Sequence, residues 1–137
     1  MLDITITETR DFVKKLLMEN TFDHFLTMEA FVRSGITYSF DGRINKDFYD
    51  KEELEAMAST SYTTWENLRT HVYNVIRGKK LPLSFKIVLV LSQSDIMDML
   101  EKNHLTIPVS DVANLTLNIY YDGMSIQLTS MLSLIHI

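Results

Sequence analysis

A chain of 137 residues, 46% hydrophobic and 23% charged, is sized for one domain with a real core and is too apolar for a disordered segment. Its net charge of −5 disfavours a general nucleic-acid coat and leaves room only for a local basic patch. The absence of cysteine excludes disulfides, thiolate nucleophiles and Cys-ligated zinc or iron–sulfur centres, and it fits a cytoplasmic setting.

Leu2, Ile4 and Ile6 alternate with Asp3, Thr5 and Thr7, which predicts a half-buried strand. Thr7 is placed to cap a helix with Phe12, Val13, Leu16 and Leu17 on one face and Arg10, Lys14 and Lys15 toward solvent. Leu26, Met28, Ala30 and Val32 then alternate, Ser34-Gly35 makes a turn, and Ile36, Tyr38 and Phe40 continue in strand period. Asp41-Gly42 reads as a two-residue hairpin turn, because both positions tolerate the positive φ of type I′, and a return strand is expected over Arg43 to Phe48. Asp50 to Met57 is acidic and helix-prone, with Asp50 and Glu53 at capping-box spacing.

Thr63 and Glu66 form a second capping-box pattern, ahead of a helix whose apolar stripe is Trp65, Leu68, Val72, Val75 and Ile76. Trp65 in that stripe reads as core rather than as a binding anchor. Gly78 and Pro82 stop the helix. Leu83 to Ser92 is a strand with Leu83, Phe85, Ile87, Leu89 and Leu91 on one side; Val88 and Val90 make the other side apolar too, so the strand is expected at the sheet centre. Ser94 opens a short helix carrying Ile96, Met99 and Leu100, and Pro108 breaks the pattern. Leu115, Leu117, Ile119 and Tyr121 alternate in a further strand, Asp122-Gly123 reads as a second two-residue hairpin turn, and Met124, Ile126 and Leu128 form the return strand.

The fold class is therefore α+β: a mostly antiparallel sheet in the order β-α-β-β-β-α-α-β-α-β-β, with helices packed on one face. No leader is expected, since Met1 runs straight into the first strand pattern, and no membrane association, since the longest apolar run, Ile87 to Leu91, is far short of the roughly 20 residues a span needs. Residues 1–131 read as a single domain. The remaining hexapeptide, Leu132-Ser133-Leu134-Ile135-His136-Ile137, resembles the translated mosaic end of a transposase adapter used in sequencing libraries. On that reading it is a non-native tail and the domain is truncated at its C-terminus. The alternative is an apolar strand, which the same composition suits.

Candidate chemistry is sparse. His24, His71, His104 and His136 fall in separate segments without a metal-binding spacing, no Gly-x-Ser-x-Gly elbow occurs, and four glycines leave nothing like a phosphate-cradling loop. No catalytic residue, metal ligand or cofactor is expected. The acidic segment 47–55, with Asp47, Asp50, Glu52, Glu53 and Glu55, lacks calcium-loop spacing and reads first as a solvated helix face. Arg77, Lys79 and Lys80, with Arg69 two turns earlier, make one basic cluster. Cations at a helix C-terminus are favoured by the helix dipole alone; the sharper reading is a phosphate- or nucleic-acid-binding edge.

The segments Phe40-Asp41-Gly42-Arg43-Ile44-Asn45-Lys46-Asp47-Phe48 and Ile76-Arg77-Gly78-Lys79-Lys80-Leu81-Pro82-Leu83-Ser84-Phe85-Lys86-Ile87 resemble an uncharacterised bacterial family known only as a domain of unknown function. The resemblance covers most of residues 2–130 and implies a further strand after the last hairpin, but no activity. The element order is also similar to one domain of a DNA sliding clamp, most of all where Ile76-Arg77-Gly78 is followed by Phe85-Lys86-Ile87-Val88-Leu89. The helix around Ile96 to Leu100 has no counterpart in that pattern.

Three functions remain open. The first is a cytoplasmic, non-catalytic interaction or assembly protein with a protein partner or a second copy. The second is a clamp-like or nucleic-acid-associated module using Arg69, Arg77, Lys79 and Lys80. The third is a hydrolase or metal site on the segment 47–55, which requires those carboxylates to converge in a concave pocket.

Overall fold

The computed structural model describes residues 2–57, 60–91, 93–102 and 112–134. In chain order the elements are β1 (Leu2–Ile6), α1 (Thr9–Leu17), β2 (Leu26–Arg33), β3 (Thr37–Asp41), a 3₁₀ turn (Lys46–Phe48), α2 (Lys51–Ala56), β4 (Thr63–Thr64), α3 (Trp65–Ile76), β5 (Ser84–Leu91), α4 (Gln93–Lys102), β6 (Val112–Tyr121) and β7 (Ile126–Leu134). The strands form one antiparallel sheet in the order β1-β7-β6-β5-β2-β3, with β4 pairing beside β2. This is the expected α+β architecture. His104 and Pro108 lie outside the described residues, as do Ile135, His136 and Ile137 of the terminal hexapeptide. Leu132 to Leu134 continue β7 and pair with β6.

The core lies on one face of the sheet. Ala30 and Val32 of β2, Phe85, Ile87 and Leu89 of β5, Ile119 and Tyr121 of β6 and Ile126 of β7 meet Leu16 and Leu17 of α1 and Trp65, Val72 and Ile76 of α3. Each strand contributes alternate residues, as the two-residue period requires. Val88 and Val90 point the other way and are only 5% and 7% exposed, so the middle of β5 is covered on both faces, as its sequence predicts.

Trp65 joins the two covering helices. Its ring is fully buried, and Nε1 donates to the Leu16 carbonyl at 2.7 Å. That carbonyl belongs to the last turn of α1, where carbonyls have no partner within the helix. The expected Thr63–Glu66 capping box does not form. Thr64 is the N-cap and its side chain makes no capping bond; instead the Trp65 and Glu66 amides donate to the Phe25 and Asp23 carbonyls, at 2.8 and 3.2 Å. A fixed loop from another part of the chain thus replaces the local side-chain cap. Thr7 likewise does not cap α1, whose N-cap is Glu8, whereas the Asp50–Glu53 capping box is present in both directions.

Two expected turns differ. No strand follows Asp41-Gly42: a single bridge joins Arg43 to Tyr62, and Lys46–Phe48 is a 3₁₀ turn. A bulge in β2 between Thr27 and Glu29 is the physical reason. It ends the pairing with β3 at Glu29 and opens the same edge of β2 to β4 at Leu26 and Thr27. It also turns Thr27 rather than Met28 into the core, where the Thr27 hydroxyl finds no hydrogen-bond partner among the described residues. Gly42 sits over this bulge, donating to the Met28 carbonyl at 2.9 Å and accepting from the Thr63 amide at 2.8 Å. Its glycine identity serves close approach rather than left-handed backbone. At the second turn Tyr121 pairs with Ile126, so the loop has four residues, Asp122 to Ser125. Gly123 there has φ of 99°, and Asp122 Oδ1 accepts from the Met124 and Ser125 amides at 2.8 and 2.9 Å.

Gly42→Ala places a methyl 1.8 Å from the Thr27 carbonyl oxygen and 2.8 Å from its carbon, both backbone atoms that cannot swing aside. The expected loss is about 3 kcal/mol, a fall in Tm on the order of 10 °C in a thermal melt. The Ser125 and Met124 amides hold the Asp122 carboxyl below its ordinary 3.8. A depressed folded-state pKa gives stability that is present above 3.8 and lost as pH falls through the folded value. Asp122→Ala should therefore destabilise the protein at neutral pH in urea titrations, with the gap to the wild type closing under acid.

Candidate functional site

The basic cluster expected from sequence is divided by the fold. Arg69, on the second turn of α3, makes a two-pronged ion pair with Asp23: Nε to Oδ1 at 2.8 Å and Nη2 to Oδ2 at 2.9 Å. The two side chains are only 22% and 15% exposed, so Arg69 clamps the 20s loop against α3 and presents little charge to solvent. Arg77, Lys79 and Lys80 lie in the segment between α3 and β5, exposed and without a carboxylate partner among the described residues.

The apolar residues that flank those three in sequence line a hollow that the sequence does not single out. Between α1, the last turn of α3 and the start of β5 lies a groove of about 420 Å³. Val13 and Met18 form one wall, Ile76, Leu81 and Pro82 the other, and Phe85 is stacked against Tyr121 at 5.2 Å in the floor. Arg10 and Lys14, one helical turn apart, stand at its rim, and no carboxylate lines it. Arg33 ends β2 beside the start of β5, where its carbonyl accepts from the Leu83 amide at 2.8 Å; following core-facing Val32, its side chain leaves from the opposite face of the sheet and is not part of the rim. Arg10, Lys14 and Arg33 are exposed and, like Arg77, Lys79 and Lys80, have no ion pair among the described residues. Nearby apolar side chains also remain in water: Met18 is 58% exposed and Leu81 78%. A signal for this rim does exist in the sequence, since Arg10 and Lys14 flank Val13 at i, i+4 spacing. The facing wall comes from the end of α3 and the segment after it, which only the fold brings to α1.

A second cleft, of about 260 Å³, is polar and holds Asp41, Arg43, Asn45, Asn67 and His71. The Arg43 amide and guanidinium both donate to the Asp41 carboxylate, at 3.0 to 3.3 Å, and hold its pKa below the ordinary carboxylate value. A carboxylate held ionised in this way is a poor general acid or base near neutral pH. The acidic residues of segment 47–55 are all exposed, and Asp50 and Glu53 are engaged with backbone amides at the start of α2. Among the described residues no three His, Asp or Glu side chains lie close enough to hold a metal ion. The convergence that a hydrolase or metal site requires is thus not present there.

The molecule is an antiparallel α+β protein with an apolar groove bordered by Arg10 and Lys14, and no described helix is long and apolar enough to cross a membrane. The chain belongs to DUF5721, a family of unknown function, whose model matches residues 15–136. The matched span contains both sequence segments that suggested such a family, and most of the terminal hexapeptide. No curated protein and no solved structure matches the chain.

The shielding of the Asp23–Arg69 pair makes it worth more than a surface ion pair. A double-mutant cycle with alanine at both positions should give a coupling of about 1–3 kcal/mol. The same cycle on Asp11 and Lys15, which are 63% and 49% exposed, should give less than about 0.5 kcal/mol. Denaturant titrations of the four variants in each cycle supply both values.

Proposed function

We propose that the protein is a cytoplasmic, non-catalytic interaction or assembly protein, and that its docking surface is the groove between α1, the end of α3 and β5. The occupant is a protein segment carrying apolar side chains among carboxylates. The observation that carries this reading is charge complementarity: in a chain of net charge −5, the cations Arg10 and Lys14 stand on an apolar hollow with no carboxylate in its lining, and Arg77, Lys79 and Lys80 are interleaved in sequence with Ile76, Leu81 and Pro82 of its far wall. Apolar contact would supply most of the affinity, and the rim charges would set orientation and rate of encounter. The absence of cysteine fits a reducing compartment.

The cations also fit a second reading, a clamp-like or nucleic-acid-associated module whose basic edge follows a phosphate backbone. Arg77, Lys79 and Lys80 would serve it together with Arg10 and Lys14, while Arg69 is held by Asp23. The floor of the groove favours the protein partner. Its aromatic residues, Phe85 and Tyr121, are buried against each other and offer no free ring face for a base to stack on.

A fluorescein-labelled peptide of alternating phenylalanine and glutamate, followed by anisotropy, tests the groove. Binding should weaken about tenfold in Arg10→Glu/Lys14→Glu and fall with added salt. Absence of binding, or binding indifferent to the double variant, would overturn the reading. A DNA duplex bound more tightly than the peptide at low salt, and released by Arg77→Glu/Lys79→Glu/Lys80→Glu, would put the second reading in its place.

A further inference from the structure

The groove has a matching surface elsewhere on the same chain. The segment from Asp47 to Glu55 carries Asp47, Asp50, Glu52, Glu53 and Glu55, all exposed, against only Lys51, with Lys46 just before it. At its start Phe48 is 82% exposed, a large ring left in water beside a run of carboxylates. The segment is also held in shape. Tyr49 meets the Phe48 ring edge-on at 5.2 Å, and the Asp50 and Glu53 side chains close a capping box on α2. An aromatic side chain set among carboxylates on a pre-shaped turn is the chemistry that an apolar hollow rimmed by cations accepts.

We infer that the occupant of the groove is this 47–55 segment of a second copy of the chain. The inference rests on the docking reading above and names the partner. The segment is attached to the wrong part of its own molecule to fill the groove in place. Phe48 and Tyr49 border the polar cleft with Asn67, Leu68 and His71, on the first two turns of α3. The groove lies at Ile76, on the last turn of that helix, and is walled by α1. Donor and acceptor are therefore different surfaces, and the contact is head-to-tail. One such contact leaves a groove free on one copy and a segment free on the other, so it propagates into a ring or a chain of copies. The association is concentration-dependent and weakens with salt, because the rim charges sit in solvent.

The test is sedimentation velocity on the full chain and two multiple variants. One, Arg10→Glu/Lys14→Glu, disables the groove. The other, Phe48→Ala/Glu52→Lys/Glu55→Lys, disables the segment and leaves the Asp50–Glu53 capping box untouched. The wild type should pass from monomer to species larger than a dimer as concentration rises, and return to monomer with added salt. Each variant alone should remain monomeric, with unchanged circular dichroism. Mixed in equal amounts they should form a 1:1 dimer and nothing larger, since only one intact groove and one intact segment can meet. If Arg10→Glu/Lys14→Glu fails to fold, Arg10→Gln/Lys14→Gln carries the same expectation.

A wild type that stays monomeric at every concentration overturns the inference, as does a mixture that forms no dimer or association that either variant leaves intact. A monomeric wild type that still binds the phenylalanine–glutamate peptide through Arg10 and Lys14 removes self-assembly alone and leaves the docking groove standing. Loss of both results removes both.

Discussion

The buried hydrogen bond from Trp65 to the Leu16 carbonyl is the contact on which the helical layer depends. It satisfies a carbonyl that the end of α1 leaves open, and it seats the largest fully buried side chain against the sheet. The same residue gives its backbone amide to Phe25, so one position ties α1, α3 and the entry to β2 together. The Asp23–Arg69 pair reinforces that junction one turn further along α3, and Phe22 packs between Phe12 and Phe25 at 5.8 and 5.9 Å. Because α1 is fixed at its C-terminal end, its first turns are held at a set distance from the segment after α3. The groove is the space left between them.

The sheet was legible in the sequence where one face is buried and the other is wet. Leu115 to Tyr121 and Ile126 to Leu128 alternate strictly, and Val88 and Val90 alone mark β5 as central. What was not legible depends on contacts between distant segments. Nothing near Thr63 announces that the 20s loop will cap α3, so the local Thr-x-x-Glu pattern is persuasive and misleading. Gly42 follows an aspartate, as a hairpin glycine does, yet its small size serves the approach to Thr27 and Met28. The bulge at Met28 changes the parity of β2 midway, which an uninterrupted two-residue count cannot foresee.

The same distinction applies to the candidate site. Arg77, Lys79 and Lys80 are close in sequence and visible as a cluster, whereas Arg10 and Lys14 come to face Ile76, Leu81 and Pro82 across the groove only after α1 has been placed. Arg69 illustrates the converse. Helical spacing sets it near the cluster, but Asp23, from a loop more than forty residues earlier, claims its guanidinium. A charge count along the chain therefore overstates the basic character of α3 and understates that of α1. The apolar floor, too, is assembled from several elements, none of which is unusual alone.

The pairing of β1 with β7 has a consequence for how the chain reaches this fold. Asp3 and Thr129 meet across 126 residues, whereas β6 and β7 are joined by a four-residue turn. Closing so long a loop adds little to the equilibrium cost but slows the search for contact. The hairpin of β6 and β7 and the pairing of β2 with β5 can organise first around Trp65. β1, made before the strand it pairs with, is then the last to find its place. Until it does, the outer edge of β7 over Ile126 to Ser130 stands open to any other extended chain.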